Sequence, residues 1–460
     1  MSSIAGNDIH SAAAGNQPGS DVHSAAAGSQ QGNDTHDAAA GSIAGMDSDA
    51  DINLQGTSTE APGLPQIIRA QICENESYVI SARRRVHVWA ETSGNEYKTS
   101  GFIAQELSGL GMTVQKVSNT GIIGILDTGK PGRTLALRAD IDALSIEENP
   151  NNLLHPRICI SENPGACHAC GHDAHTAMLL GAARVVASVQ ASLTGKLLFC
   201  FEEGEELGLG VRGMLEALRG HSPDAVWALH VLSSLETGKV DISPGPRMAG
   251  GRRILMRVNG RGGHGSRPDL SLNPVYAAAA ITSNLSGVLQ NQLNPDKPVT
   301  VGITSIQGGA SENIFPEYAD IKGTIRFFDA DEGLRASEIV KRVASCTAAM
   351  LGCTVDFDPV TDWYGLPVIN DREAAERAAN AMSKLGYSGA LTQCPPWYAS
   401  ESFASYLSEY QGAFAFLGVK NDELGTGAPH HNDRFDIDEA ALINGVAATT
   451  AFAVADAILP

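Results

Sequence analysis

The chain has 460 residues, too many for one ordinary core, so its length predicts two domains plus appendages. A formal net charge of −20 excludes a nucleic-acid binder, whose phosphate contacts need lysine and arginine, and argues against anionic membrane surfaces. Eight cysteines over this length make no disulfide scaffold, no unbroken run of eighteen apolar residues predicts a bilayer span, and no secretory signal pattern opens the chain; a reducing cytoplasm is expected.

Residues 1–64 hold a thirteen-residue repeat, GNDIHSAAAGNQP from Gly6, GSDVHSAAAGSQQ from Gly19 and GNDTHDAAAGSIA from Gly32, each with one histidine (His10, His23, His36). With few large apolar side chains to bury, ordering entropy is not repaid, and a disordered tail is expected. A solvated extension ranks above a metal-collecting arm.

Helical periodicity follows at Ile80–Trp89 and Thr99–Gly111. From Thr134 the pattern alternates: strand Thr134–Asp140, helix Thr176–Gln190, strand Lys196–Phe201, helix Leu207–Arg219 and strand Ala225–Val231. Strands apolar nearly throughout, set between helices, predict an α/β fold: a mostly parallel sheet with helices on both faces. Ligands in that architecture bind outside the carboxyl ends of strands, where Asp140, Glu205, Glu206 and His230 are expected. Residues 247–361 change to β-α-β-β-α-β order and predict an inserted α+β lid or dimerisation domain between catalytic parts 65–246 and 362–460.

The densest chemistry lies in ACHACGHDAH, Ala166–His175, where two thiols and three imidazoles precede a helical pattern. FEEGEE (Phe201–Glu206), ALH (Ala228–His230) and APHHNDRF (Ala428–Phe435) supply distant carboxylates and imidazoles. Sulfur, nitrogen and oxygen donors in such a set suit a borderline divalent metal. A CxxC redox pair, a structural zinc confined to Cys167, Cys170, His172 and His175, and buried cysteines with ordinary core histidines are the rivals. The catalytic metal site ranks first because it alone uses all four motifs. One of His430 and His431 is expected to be a ligand, and spacing does not choose between them. His264 in NGRGGHGSRPD is equally an exposed loop histidine or a proton donor to an oxyanion.

These residues resemble the di-metal amidohydrolase and metallocarboxypeptidase family that includes bacterial N-acyl-amino-acid amidohydrolases, aminobenzoyl-glutamate hydrolases and plant auxin-conjugate hydrolases. The likeness runs from about Arg83 to the C-terminus through LRADIDAL, HACGHDAHTAMLLGAA, FEEGEE, ALH, GRGGHGSRPD, SENIFPEYADIKGTIRFF and HHNDRFDIDEAAL. It implies two divalent ions, manganese or zinc ahead of cobalt or nickel, held by Cys170, His172, Glu206, His230 and His431, with Cys170 bridging. It implies Glu205 as general base, His264 reaching across a homodimer to the scissile carbonyl, Asn313 and Arg326 near the substrate carboxylate, and Asp140 orienting a ligand. The implied reaction is hydrolysis of the amide of an N-acyl amino acid, without nucleic-acid or membrane partners. A dipeptidase or aminopeptidase of the same fold and a non-catalytic metal-binding protein are the alternatives. The chain departs from the family where Glu202-Glu203 replaces the usual Gln-Pro, where Asp433 replaces Pro, and where VHVWAE is a loose version of HxHPE.

Overall fold

The computed structural model describes residues 62–358 and 364–459, so the repeat tail lies outside the described residues. Four strands rich in buried apolar side chains, Lys196–Glu202, Thr134–Asp140, Ala225–Glu236 and Gly412–Lys420, run parallel in that spatial order. Thr113–Val117 and Gly121–Asp127 extend one edge antiparallel. The short strands Val240–Asp241 and Leu391–Thr392 close the other edge of an eight-stranded sheet. The expected mostly parallel sheet with flanking helices is the fold observed.

The helix His172–Ser188 is buried nearly all round. One side meets the strand Thr134–Asp140, and the other meets helices Glu76–Trp89 and Leu442–Ile458. Met178, Leu179, Val185 and Val186 are each at most 3% exposed. Burying each such side chain stabilises by roughly 1.5–3 kcal/mol, so the element that carries the histidines is anchored along its length. The helix begins four residues before the expected Thr176, so His172 and His175 both lie in its first turn. Gly171 makes that start possible: its φ is 87°, and a Cβ there would sit 2.4 Å from Val231 Cγ2.

Helix Leu442–Ile458 packs against the rest of the first sheet's helical layer. Glu439–Ile458 is long and apolar enough to cross a bilayer by length and composition, although Asn444, Thr449, Thr450 and Asp456 break its apolar run. Of its most apolar window 78% is buried, packed against helices His172–Ser188 and Arg372–Lys384, which is the environment of a core helix.

Within residues 250–365 a second, antiparallel sheet takes the order Val299–Gln307, Tyr318–Phe327, Gly250–Asn259, Thr354–Phe357, with Tyr364–Gly365 also on Gly250–Asn259. Helices Pro274–Gln292 and Ala330–Met350 cover one face, where Ile254, Met256, Val258, Ile281, Ile321, Ile325, Phe327 and Ile339 form their own apolar cluster. The other face carries Arg253, Arg257, Asp320 and Arg326. The strand Thr354–Phe357 ends short of residues 359–363, which lie outside the described ones.

Candidate metal centre

The site is assembled where the parallel strands lose their partners. Thr134–Asp140 pairs with Ala225–Glu236 only as far as Arg138 opposite Ala228, so Asp140 and His230 come next to each other at the sheet's carboxyl edge. His230 does not end its strand, as the sequence pattern predicts; the strand runs on to Glu236 because its other side stays paired, Phe416 opposite His230.

Donor atoms of Cys170, His172 and His230 lie within 4.8 Å of one another, and so do those of Cys170, Glu206 and His431. Cys170 is common to both sets, and its Sγ is 3.5 Å from His230 Nε2. The two buried histidines of the first set each have their other ring nitrogen engaged. His172 Nδ1 is 3.0 Å from Asp142 Oδ1, and His230 Nδ1 donates to the Val231 carbonyl at 2.6 Å. Both Nε2 atoms are thereby turned into the centre, the tautomer a metal requires. His172 Nε2 and Glu206 Oε1 are buried without a hydrogen-bond partner, a costly state for polar atoms that a cation between them would satisfy. The residues present therefore fit a pair of divalent ions.

His175 belongs to the cluster but is no free donor: Nδ1 is 2.6 Å from Asp140 Oδ1 and Nε2 accepts the Val231 N–H at 2.9 Å. Asp140 thus steadies His175, and through Arg138 at 2.7 Å the strand end, rather than directly orienting a ligand ring. The carboxylate against the His172 ring is Asp142, which sequence reasoning missed. Its Oδ2 also accepts from Ser93 Oγ at 2.6 Å and from the Glu206 N–H at 3.2 Å, so it ties His172 to Glu206. The second Asp of LRADIDAL was the available signal.

His430 and His431 separate clearly. His430 is stacked among His230, Trp397 and Phe435, its Nε2 accepts the Ser233 N–H, and burial lowers its pKa to about 3. His431 has the left-handed φ of 62° that non-glycine residues rarely adopt. That backbone turn brings its Nε2 to 3.3 Å from Glu206 Oε1.

The four glutamates of FEEGEE split into roles. Glu202 is fully buried and accepts from Arg138 Nε at 3.2 Å, Ser402 Oγ at 2.8 Å and the Tyr406 hydroxyl. Glu203 accepts from Thr120 Oγ1 and from the N–H groups of Gly121 and Asn119, closing an edge of the sheet. Glu205 accepts the Ser402 N–H at 2.9 Å, and burial together with Glu401 raises its carboxyl well above the ordinary range. Burial likewise pushes the Cys170 thiol well up, and a bound cation is what makes such a thiol a thiolate. Although burial opposes it, Asp140 and Asp142 hold His172 well above its usual value.

A cavity of about 590 Å³ opens beside Glu205 and Glu206, walled by Leu207, Val211 and Leu366 and reached by Arg253 and Ser400. The guanidinium of Arg326 contacts Ser400 Oγ from the second sheet. His264 and Asn313 do not line this cavity. They are exposed neighbours on a two-stranded ladder, His264 opposite Ile314, with the Gly265 N–H donating to the Asn313 carbonyl at 2.7 Å. His87, in the loose VHVWAE, is buried between Asp173 and Glu148, 2.8 Å from each.

The chain matches peptidase family M20/M25/M40 over residues 136–455, which takes in every donor named above. It belongs to that family. It is similar to thermostable carboxypeptidase 1 of Saccharolobus solfataricus, 32% identical over 85% of this chain and 98% of the relative. To the N-acyl-L-amino acid amidohydrolase of Geobacillus stearothermophilus it is 33% identical, over 67% and 82%. The crystal structure of the Bacillus subtilis YXEP protein, titled a dinuclear metal binding peptidase, superposes with TM-score 0.70 at 29% identity, covering 84% of this chain and all of that one. This M20 member is accordingly a hydrolase acting on amide or peptide bonds.

Proposed function

We propose that this hydrolase cleaves the amide of N-acyl amino acids, releasing a carboxylic acid and an amino acid. The observation that carries it is the convergence of Cys170, His172, Glu206, His230 and His431 with Glu205 directly beside them. The amidohydrolase and carboxypeptidase names of its relatives describe one kind of bond, since the last residue of a peptide is itself an N-acyl amino acid.

Cys170, His172 and His230, with Glu206 and His431, would hold two divalent ions, manganese or zinc first and cobalt or nickel next. Such ions supply Lewis acidity, which activates water and polarises a carbonyl. Glu205, fixed by the Ser402 amide, accepts the proton of the attacking water and returns it to the departing amine.

His264 is assigned to a partner subunit's site in a homodimer formed through residues 247–361, the proposed lid, with 65–246 and 362–460 as the catalytic part. Its exposure and its absence from the cavity of its own chain support this. The Ser266 N–H donates to its Nδ1 at 3.2 Å, which leaves Nε2 as the donor for an oxyanion. Asn313 beside it and Arg326 at the cavity are proposed to hold the substrate carboxylate. All eight cysteines are free thiols, which supports a cytoplasmic setting.

An aminopeptidase needs a carboxylate free to hold an α-amine. Of the cavity's carboxylates Glu205 and Glu206 are committed, and Glu401 is 3.2 Å from Arg138. The deciding experiment strips the protein of metal, restores manganese, zinc, cobalt or nickel singly, and measures turnover of acetyl-, benzoyl-, aminobenzoyl- and indolyl-acyl amino acids. Cleavage of none with any metal would sink the proposal. Deleting residues 1–60 separates it from metal storage: loss of most bound metal supports storage, and retention of two ions per chain supports the hydrolase.

A further inference from the structure

On the open face of the second sheet, two arginines are left without a carboxylate at the end nearest the cavity. Arg326 is opposite Gly251, and Arg253 is two residues further along the same strand, opposite Thr324, so both side chains rise from one face as diagonal neighbours. Gly251 is what lets Arg326 lie where it does: a Cβ there would come within 2.8 Å of its Nη1 and 3.1 Å of Ser400 Oγ. Arg326 is half-buried, and burial lowers its pKa with no carboxylate holding it up. Among the described residues, Arg253 forms no ion pair or hydrogen bond, and it lines the cavity.

Arg257 on the same face is treated differently. Four residues along the strand from Arg253, beyond Leu255, it is paired bidentately with Asp320 at 2.7 and 2.9 Å. The carboxylate is spent at the far end, and the cavity end keeps a surplus of two positive charges. Planar guanidinium groups match carboxylates and phosphates bidentately, and of the two an N-acyl amino acid supplies carboxylates.

We propose that Arg253 and Arg326 together select substrates with two carboxylates, Arg326 taking the α-carboxylate and Arg253 a second one, on the amino-acid side chain or at the end of the acyl group. The inference rests on the hydrolase function proposed above and deepens it by naming the substrate class. The apolar walls Leu207, Val211 and Leu366 would pack the methylenes between the scissile amide and the second acid.

The test compares kcat/KM of the manganese-loaded enzyme for N-acetyl-glutamate, N-succinyl-leucine and N-acetyl-leucine. At least one of the two diacids is expected to exceed N-acetyl-leucine tenfold or more, and which one shows where the second acid sits. Arg253→Gln should reduce that preference at least tenfold, and Arg253→Lys should restore part of it. Arg253→Glu should move the preference toward Nα-acetyl-lysine. A wild type that cleaves N-acetyl-leucine as well as both diacids overturns the inference while leaving the hydrolase standing. So does an Arg253→Gln variant that loses equally on all three. Cleavage of none by wild type fails the hydrolase function itself, and this inference with it.

Discussion

The main-chain N–H of Ser402 donates to Glu205 Oε1 at 2.9 Å, joining the proposed base to a segment 197 residues further along the chain. The Ser402 side chain is held in turn, its Oγ donating to Glu202 at 2.8 Å and accepting from Arg138 Nη2 at 2.8 Å. A carboxylate fixed at one oxygen keeps the other for proton transfer. Glu205→Gln preserves the contact with the Ser402 amide but removes the proton acceptor. Turnover should fall roughly 10²–10⁴-fold, the usual worth of a general base, with bound metal unchanged by elemental analysis. Near-normal turnover of a fully metallated variant would remove Glu205 from the mechanism.

Metal removal should abolish activity and lower thermal stability together. A ligand at a hundred times its Kd stabilises the folded state by about 2.7 kcal/mol, so restoring metal should raise Tm in a concentration-dependent way. Cys170→Ala should lose both ions, because its sulfur belongs to both donor sets, whereas His230→Ala should spare the Glu206–His431 set. Asp142→Asn, which contacts no ion in this assignment, should still weaken metal affinity roughly 10–100-fold through its hold on His172. If Cys170→Ala bound two ions as tightly as wild type, the bridging role would be wrong.

Most of this centre was legible in the sequence because metal donors are rare residues at short spacing, and Cys170, His172, Glu206 and His230 stand out wherever the chain folds. What escaped depended on backbone direction. Whether Asp140 or Asp142 meets the His172 ring is decided by the turn after the strand, which alternation alone does not encode. His430 and His431 are equivalent as letters, and only the positive φ at His431 and the aromatic packing around His430 distinguish them. The edge strands Thr113–Val117 and Gly121–Asp127 were missed because the turn residues Ser118 and Asn119 and the glycines Gly121 and Gly124 mask a weak alternation. The helix start at His172 was placed late because Gly171 reads as a breaker, although here it is the left-handed residue that lets the helix begin.

The buried cluster behind the centre should govern acid stability. Burial opposes the charge on Asp173, yet Arg83, 2.6 Å away, and His87 hold its carboxyl far below the usual range. A depressed carboxyl contributes stability that is present above its unfolded pKa of about 3.9 and is lost as pH falls through its folded value. His87 has the opposite sign. Burial and Arg83 pull it down, but Asp173 and Glu148 leave it raised, so its contribution is full below about 6.5 and declines as pH rises through its folded value. In urea unfolding of metal-free protein, Asp173→Asn should flatten the loss of stability as pH falls below about 4, and His87→Gln the loss as pH rises above about 6.5. Slopes identical to wild type would show that these groups are not the ones titrating.

Gly171 gives the sharpest test of how local geometry builds the centre. Its φ of 87° is strained for any L side chain, and its Cβ would have to displace Val231 Cγ2, 2.4 Å away, on the strand that carries His230. Strain of this kind costs about 1–3 kcal/mol, and relieving it must move either the first helical turn, with His172, or the strand end, with His230. Gly171→Ala should therefore lower stability by that amount and weaken metal binding as well. Gly101→Ala, on an exposed helical position where an added Cβ meets nothing within 4 Å, should instead leave stability unchanged or raise it by up to about 1 kcal/mol. Equal effects of the two substitutions on Tm and on metal affinity would show that the left-handed turn at residue 171 does not set the spacing of the ligands.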